Sequence, residues 1–426
     1  MVQFFSGRPQ KAGRQGSFRI LINSQYAECP VCAGNTPLLR GAGGVSNDTI
    51  TEALLNIYKK TVDVKSQIEP NLFRETVQSL NLAVDEGFGK VKFGNPDFDF
   101  VNELKFNNAV FSAFKVHREQ NDIALQLLDD KGNLKSFAQF KKDAAHIPEH
   151  YQKWMDTEYN TAVLRARQAA NFKKYQRDAD LFPNLKWLQS TSIDKREGHV
   201  KLYGTIKPVN DPFWQEHYPG NLWNCKCGIT NTDEPATGDV ADVDYTPAPG
   251  LDENPAFSGA LFSKNNPYRK NGYLSPKRLD VLANDYAEHH LQTYYKNKLD
   301  DYRKSVITPG GLVVNAVNIA SGSFKIIPKS VRSINQHNVD WRVKAFTLEL
   351  HNSVKNWAYI GWSKVKPGTH PEADWFTYYR ISIAGKTRYI NMIGHKGLKT
   401  EVPYAIMDSI TKVLNGYPDN IDEYVK

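Results

Sequence analysis

The four cysteines of this chain form two close pairs that are far apart in the sequence. Cys29 and Cys32 belong to the segment CPVC, and Cys225 and Cys227 belong to the segment CKC. Each spacing places two thiolates on one side of a tight turn, and four sulfurs can complete the tetrahedral shell of a zinc ion, with Zn–S distances of about 2.3 Å. A shared metal site would require an N-terminal arm and a distant loop to fold against each other.

The N-terminal segment argues against a disulfide framework. It is basic but has no continuous apolar stretch and no small-residue cleavage site, so we expect no secretory signal. Without an oxidising compartment, a structural metal is more plausible than disulfides. We therefore predict a zinc site formed by Cys29, Cys32, Cys225 and Cys227, with His199 as an alternative ligand. Reduced thiols buried near Trp223, or a disulfide, remain open as alternatives.

Length and composition indicate a globular protein with more than one domain. The chain has 426 residues, of which 40% are apolar, and domains of roughly 100–200 residues would give two or three of them. No apolar run approaches the roughly 20 residues that cross a bilayer, so we expect no membrane partner.

Apolar periodicity predicts a mostly helical N-terminal half and a C-terminal part of mixed structure. The predicted helices lie at 48–60, near 69–85, 107–118, 120–129 and 134–144, at 151–176, from Ser275-Pro276 to about 304, and near 340–356 and 402–414. The predicted strands lie at 185–193 and in the segments NWAYIGWSKV, DWFTYYRISIAG and KTRYINMIG, the last two joined by a turn at Ala384-Gly385-Lys386. The fold class that this order indicates is α+β.

A loop dense in aromatic, glycine and proline residues precedes the second cysteine pair. Its pattern runs from an Arg-x-x-His step through a Gly turn and a Pro- and aromatic-rich stretch to Trp-x-Cys-x-Cys. The residues that carry it are Arg196, His199, Gly204, Phe213, Pro219, Trp223, Cys225 and Cys227. With the helix upstream, from Asp156-Thr157-Glu158 to Arg165 and Arg167, the stretch resembles the phage Mu F-like head morphogenesis family.

This resemblance implies a phage or prophage minor head protein that acts near the portal during procapsid assembly. Portal and capsid proteins would be its partners, with DNA or RNA as a further partner, and it would reside in the virion and, during assembly, in the host cytoplasm. The expected layout is an arm at 1–45, a Mu F-like domain at 46–234, a Pro- and Gly-rich linker at 235–274, a connecting helix at 275–310 and a basic α+β domain at 311–426.

The predicted C-terminal domain holds most of the excess positive charge. Residues 311–426 contain 15 Lys or Arg and 9 Asp or Glu, a net +6 of the chain's +8. Cations interleave with aromatic residues there, which suits RNA binding. The order of a helix and an antiparallel sheet is similar to the barnase–EndoU–colicin–RelE-like nuclease fold.

This second resemblance implies a metal-independent ribonuclease, which needs an acid, a base and cations around the phosphate. His351, His370 and His395 would supply acid and base, Lys364, Arg380 or Arg388 would hold the phosphate, and Glu401 is a further candidate base. A binding module without catalysis, with the aromatic residues in its core, is the simpler alternative. A nuclease effector or polymorphic toxin built on a phage head protein is another. Neither a P-loop nor an HExxH or GxSxG motif occurs in the sequence.

Overall fold

The computed structural model describes residues 44–92, 94–238, 245–305, 310–337, 340–366, 368, 370–371, 373–395, 400–411 and 414–415. Within them the helices are α1 (Asn47–Lys59), α2 (Pro70–Gly87), α3 (Phe98–Ala124), α4 (Phe137–Ala144), α5 (His146–Arg177), α6 (Glu197–Val200), α7 (Phe213–Glu216), α8 (Pro255–Ser258), α9 (Pro267–Lys270), α10 (Pro276–Ser305), α11 (Pro328–His337), α12 (Trp341–Thr347), α13 (Leu350–Ser353) and a 3-10 helix (Val354–Asn356). The strands are β1 (Asn184–Leu188), β2 (Ile206–Pro208), β3 (Gly228–Thr232), β4 (Leu312–Asn315), β5 (Ser323–Ile326), β6 (Ala358–Lys364), β7 (Trp375–Ile383), β8 (Lys386–Gly394) and β9 (Val402–Met407). The predicted α+β class is confirmed.

The described residues fall into two compact units. Unit 1 takes those up to Lys90 together with Glu103–Tyr286, and unit 2 takes Val91–Asn102 and those from Ala287 onward. No helix among the described residues is both long and apolar enough to cross a membrane.

In unit 1, the helices α2 and α5 pack along each other through small and apolar side chains. Leu80 and Ala83 of α2 and Ala162 and Ala166 of α5 are all buried. At the end of α2 the two backbones come so close that a Cβ atom on Gly87 would lie 2.2 Å from the carbonyl oxygen of Val163. The close packing of α2 and α5 therefore forms part of the core of unit 1.

A small antiparallel sheet completes this unit beside the helices. Its strand order is β2-β1-β3, and β1 pairs with both neighbours. Leu185 and Trp187 of β1 are buried, while Leu188 is exposed. The loops that form the candidate site, including the α6 turn, connect the strands of this sheet.

The segment 245–274, for which the sequence predicts a linker or extended loop, is irregular apart from α8 and α9. Several of its apolar side chains are nevertheless buried in unit 1, among them Leu251, Leu261, Phe262 and Tyr268. The guanidinium group of Arg165 holds this segment to α5 through backbone carbonyl groups. A segment without periodicity can thus still be part of a core when side chains of other elements satisfy its backbone.

In unit 2, one four-stranded antiparallel sheet packs its inner face on helices. The strand order is β6-β7-β8-β9. The inner face and the helices share one apolar core, which contains Leu299, Val331, Phe346, Leu350, Trp357, Tyr379, Ile381, Ile390, Met392 and Ile406. The predicted turn between β7 and β8 is confirmed, with positive φ at Ala384 (50°) and Gly385 (73°).

Several predicted elements differ in their bounds or type. The predicted helix near 402–414 is wrong, because Val402–Met407 is the strand β9 and pairs with β8. Pro403 lacks an N–H group, and the register of this pair shifts between Asn391 and Met392, opposite that residue. The helices predicted at 107–118 and 120–129 are one helix, α3, which ends at Ala124. The helix predicted near 340–356 is divided into α12, α13 and the 3-10 helix.

Candidate metal centre

The second cysteine pair lies on a tight turn between α7 and β3. Asn224 adopts a left-handed conformation (φ 53°), and the backbone N–H group of Cys225 donates to the carbonyl oxygen of Leu222 at 3.2 Å. The hydroxyl group of Thr161 on α5 accepts a hydrogen bond from the N–H group of Asn224 at 3.1 Å. Both thiols of the CKC segment thereby face the interior of unit 1, where they are buried.

His199 meets both thiols. It lies on α6, is 1% exposed, and its Nδ1 atom is 3.6 Å from Sγ of Cys225 and 3.5 Å from Sγ of Cys227. The three potential ligand atoms all lie within 4.8 Å of one another. The loop that the sequence singles out thus brings a His and two Cys side chains, from positions 26 and 28 residues apart, to one point.

These distances fit tetrahedral coordination of one metal ion. With Zn–S of about 2.3 Å and Zn–N of about 2.0–2.1 Å, sulfur and nitrogen ligands of a tetrahedral zinc lie about 3.6 Å apart. A hydrogen bond between a thiol and an imidazole nitrogen has a similar length, so metal analysis has to separate the two arrangements. The donor set itself, an imidazole nitrogen and two thiolates, is one that zinc accepts readily.

The two thiols have different acidities. A hydrogen bond from the Cys227 thiol, followed by the contact with His199, holds the pKa of the Cys225 thiol well below its usual range despite burial. The hydrogen bond to Cys225, together with burial, raises the pKa of Cys227. The pair therefore favours one thiolate and one thiol, and a metal ion that binds both sulfurs would displace the remaining proton.

Aromatic and amide side chains enclose the imidazole of His199. Its ring centroid lies 5.5 Å from that of Trp187 and 5.0 Å from that of Tyr245. Its Nε2 atom lies 3.1 Å from Oδ1 of Asn221. The sequence reasoning did not identify Asn221 or Tyr245, because Asn221 is one polar residue in an irregular loop and Tyr245 lies in the predicted linker.

A small cavity leads to the cluster from the surface. Besides the His and the two Cys side chains, Ser190, Asp194, Arg196 and Lys226 line it. Cys29 and Cys32, which the sequence also predicts as ligands, lie outside the described residues. The structure thus brings together His199, Cys225 and Cys227 of the predicted set.

In unit 2, three candidate nuclease residues and Glu401 lie towards the same end of the sheet. Lys364 is exposed and opposite Trp375 in the β6–β7 register. The ring of His370 lies 5.4 Å from those of Phe376 and Tyr404, and Nδ1 of His395 lies 3.5 Å from Asp374. Glu401 is buried and accepts hydrogen bonds from Thr377 and Tyr379.

The other candidates lie elsewhere in this unit. Arg388 is roughly 20 Å along β8 from its end at Gly394, at about 3.3 Å per residue, and it forms ion pairs with Asp340 and Asp408. Arg380 is exposed on β7, and His351 on α13 has its Nδ1 atom 3.5 Å from the hydroxyl group of Tyr302. Four of the interleaved aromatic residues are buried, namely Trp357, Trp375, Tyr378 and Tyr379. The nuclease function stays a prediction.

Comparison with known proteins finds a family that is similar to the stretch containing the first of these sites. Residues 122–230 match the family described as Phage Mu protein F like protein. The chain is 33% identical over 73 residues to the putative capsid assembly protein F of Escherichia phage Mu, and 30% identical over 69 residues to the Mu-like prophage FluMu F protein of Haemophilus influenzae.

Both matches cover a limited part of the proteins compared. They take 17% and 16% of this chain, and the chain spans 17% of the length of each relative. No solved structure matches the chain significantly. The matched stretch includes α5, the α6 turn and the CKC segment. Residues 122–230 of this chain are thus similar to the Phage Mu protein F like family.

Proposed function

We propose that this chain acts in the assembly of a phage head, as a minor head protein near the portal. The names of two relatives, a capsid assembly protein and a Mu-like prophage F protein, support this role. Portal and capsid proteins would be its partners, with packaged nucleic acid as a further partner of the basic unit 2. The chain would then be found in the virion, and in the host cytoplasm while heads assemble.

The observation that carries the molecular part of the proposal is the buried cluster of His199, Cys225 and Cys227. We propose that the cluster holds one zinc ion. The ion would fix α6 and the CKC turn to one another, because His199 and the two cysteines come from separate loops. Short elements such as α6, with four residues, form few hydrogen bonds of their own, and bound metal contributes directly to the stability of such regions.

Three described ligands leave one coordination position for a fourth. Structural zinc sites are almost always four-coordinate and closed. Cys29 or Cys32 of the N-terminal arm is our proposed fourth ligand, since CPVC spacing suits the same metal and a cavity already leads to the cluster. The arm would then be tied to the loop that precedes β3.

Metal analysis of the purified full-length chain tests the zinc site. We expect about one zinc per chain by inductively coupled plasma mass spectrometry, and loss of that zinc in Cys225→Ser and in His199→Ala. Lys226→Ala is the matched control, because Lys226 lies between the two cysteines, lines the same cavity and offers no ligand atom that competes for zinc. A metal-free wild-type chain prepared without chelators would remove the site.

Replacement of zinc by Co²⁺ identifies the fourth ligand. Thiolate-to-cobalt charge-transfer absorption grows with the number of bound sulfurs, so the wild type should absorb more strongly than one of the single variants Cys29→Ser and Cys32→Ser. Equal absorption in all three proteins, at equal cobalt content, would show that the arm does not supply the ligand.

The assembly role is tested in the phage or prophage that encodes the chain. Deletion of its gene should yield few or no filled heads by electron microscopy, and peptides of the chain should be detected in purified wild-type virions. Normal heads after deletion, or virions without the chain, would overturn the proposed role. A Cys225→Ser phage with the same defect as the deletion would connect the metal site to assembly.

A further inference from the structure

Asn221 is almost fully buried beside His199, and its own contacts fix the orientation of its amide group. Its Nδ2 atom lies 3.4 Å from the backbone carbonyl oxygen of Glu216 and 2.8 Å from the hydroxyl group of Tyr245. A carbonyl oxygen can only accept a hydrogen bond, so the atom that faces Glu216 must be the NH₂ group. The amide oxygen is therefore the atom that faces His199.

This orientation fixes the tautomer of the histidine. The amide oxygen Oδ1 can only accept, and it lies 3.1 Å from Nε2 of His199, so Nε2 must carry the hydrogen. A neutral imidazole protonated at Nε2 has its lone pair at Nδ1. Nδ1 is the atom that lies between the sulfurs of Cys225 and Cys227.

The surroundings leave Asn221 little freedom to turn away. The backbone N–H group of Ala248 donates to the carbonyl oxygen of Asn221 at 2.9 Å, and the N–H group of Asn221 donates to Tyr218 at 3.3 Å. The rings of Trp187 and Tyr245, which pack edge-on against the imidazole, limit rotation of His199. The chain thus holds Asn221 and the imidazole in one relative orientation before any ligand binds.

We propose that Asn221 is a positioning residue that makes His199 an Nδ1 ligand and thereby sets the affinity of the site for metal. This inference rests on the proposed zinc site for its effect on affinity, but the tautomer itself does not depend on metal. Groups that hydrogen-bond to the second nitrogen of a metal-bound histidine typically contribute about 10–100-fold to metal affinity.

The tautomer is measured first, on the metal-free full-length chain. Two-dimensional ¹H–¹⁵N NMR with ¹⁵N-labelled histidine distinguishes protonated from unprotonated ring nitrogens, and comparison with His199→Gln assigns the signals. We expect the neutral ring of His199 to carry its hydrogen at Nε2 and not at Nδ1. A neutral ring that carries its hydrogen at Nδ1 in the wild type would overturn the inference, whether or not the chain binds zinc.

The affinity is measured next, by competition with a chelator of known zinc affinity. Asn221→Leu should weaken zinc binding by about 10–100-fold, whereas Asn221→Asp, which keeps an acceptor oxygen, should retain most of it. Tyr245→Phe is the matched control, because it removes a contact of the Asn221 NH₂ group and leaves Oδ1 facing His199. Circular dichroism verifies that each variant is folded.

The outcomes separate this inference from the proposed function. Zinc bound with equal affinity by Asn221→Asp and a folded Asn221→Leu would leave the metal site in place and overturn the role of Asn221. A wild type that binds no zinc but shows the Nε2-protonated histidine would overturn the metal site alone. If Asn221→Leu does not fold, the tautomer of His199 in the wild type still decides whether Asn221 orients the imidazole.

Discussion

The Nζ atom of Lys115 lies 2.8 Å from Oε2 of Glu158, and both side chains are almost completely buried, at 2% and 0% exposure. Lys115 also donates to the backbone carbonyl of Tyr151 at 3.0 Å, and the hydroxyl group of Tyr268 donates to the second oxygen of Glu158 at 2.6 Å. The pair joins α3 to α5 and, through Tyr268, to α9. It places two charges in the interior of unit 1, where each is satisfied by the other and by neutral hydrogen-bonding groups.

Removal of one charge should destabilise the chain far more than removal of both. Lys115→Met leaves the Glu158 carboxylate buried without a cation, which costs about 3–5 kcal/mol, whereas well-packed apolar residues in place of both partners can be nearly neutral. Urea denaturation of Lys115→Met, Glu158→Leu and the double variant measures this. A double variant that loses as much stability as the sum of the single variants would contradict the coupling.

Arg165 should be irreplaceable by lysine. Its buried guanidinium group donates to the backbone carbonyls of Leu261, Gly220, Leu251 and Glu253. An ammonium group has no planar set of five donors and cannot reach all four, and each carbonyl left unpaired in the interior costs about 1–3 kcal/mol.

We therefore expect Arg165→Lys to lower the free energy of unfolding by about 3 kcal/mol or more. It should also increase amide hydrogen exchange in the segment 245–262, which contains three of the four carbonyl groups. Arg167→Lys, an exposed position on the same helix, is the control and should change stability by less than about 0.5 kcal/mol. Equal effects at the two positions would show that the four carbonyl contacts are not important for stability.

Glu119 makes stability depend on pH. Burial raises its pKa from the ordinary 4.5 to about 8, with Lys115 acting against this and Asp122, Glu158 and Glu69 adding to it. Because the folded-state pKa is raised, the folded state binds more protons than the unfolded state between pH 4.5 and 8. The contribution of Glu119 to stability is therefore full below pH 4.5 and is lost as the pH rises towards 8.

Glu119→Gln removes this titration and keeps the shape of the side chain. Relative to the wild type, we expect the variant to gain stability steadily from pH 5 to pH 8, by about 1.4 kcal/mol for each unit of pH at most. Urea denaturation at pH 5, 6.5 and 8 measures the trend, with the exposed Glu52→Gln as control. A constant difference between variant and wild type across this range would be contrary to the prediction.

Local patterns in the sequence predicted α1, α2, α5, α10 and the β7–β8 hairpin, because amphipathic spacing and turn residues act within one element. The strand β9 was missed for a different reason. Val402, Tyr404 and Ile406 alternate in the manner of a strand, but its formation depends on pairing with β8, and a short apolar run does not reveal its partner. Pairing with β8 thus determines the structure of this segment, and the helix predicted there does not form.

The candidate site, too, could be predicted from the sequence only in part. The cysteine spacing and His199 were visible in the sequence, since metal-binding residue types rarely cluster by chance. Asn221 and Tyr245 were not, because their roles come from one amide orientation and one ring position that only the folded chain defines. The packing of Leu251 and Phe262 was likewise hidden, since that segment is held by Arg165 and not by a periodic pattern of its own.

In unit 2, the hydroxyl group of Tyr379 should be a larger source of stability than those of neighbouring tyrosines. It accepts a hydrogen bond from the N–H group of Ala320 at 2.9 Å and donates to the buried Glu401 carboxylate at 2.9 Å. Tyr379→Phe would leave that carboxylate with one hydroxyl donor fewer, and the N–H group of Ala320 without its acceptor. We expect the free energy of unfolding to fall by about 1–3 kcal/mol, measured by urea denaturation.

The half-buried Tyr389 on β8 is the control, and Tyr389→Phe should change stability by less than about 0.5 kcal/mol. A similar small effect for both variants would mean that the hydroxyl group of Tyr379 adds little to the hydrogen bonds that hold the Glu401 carboxylate.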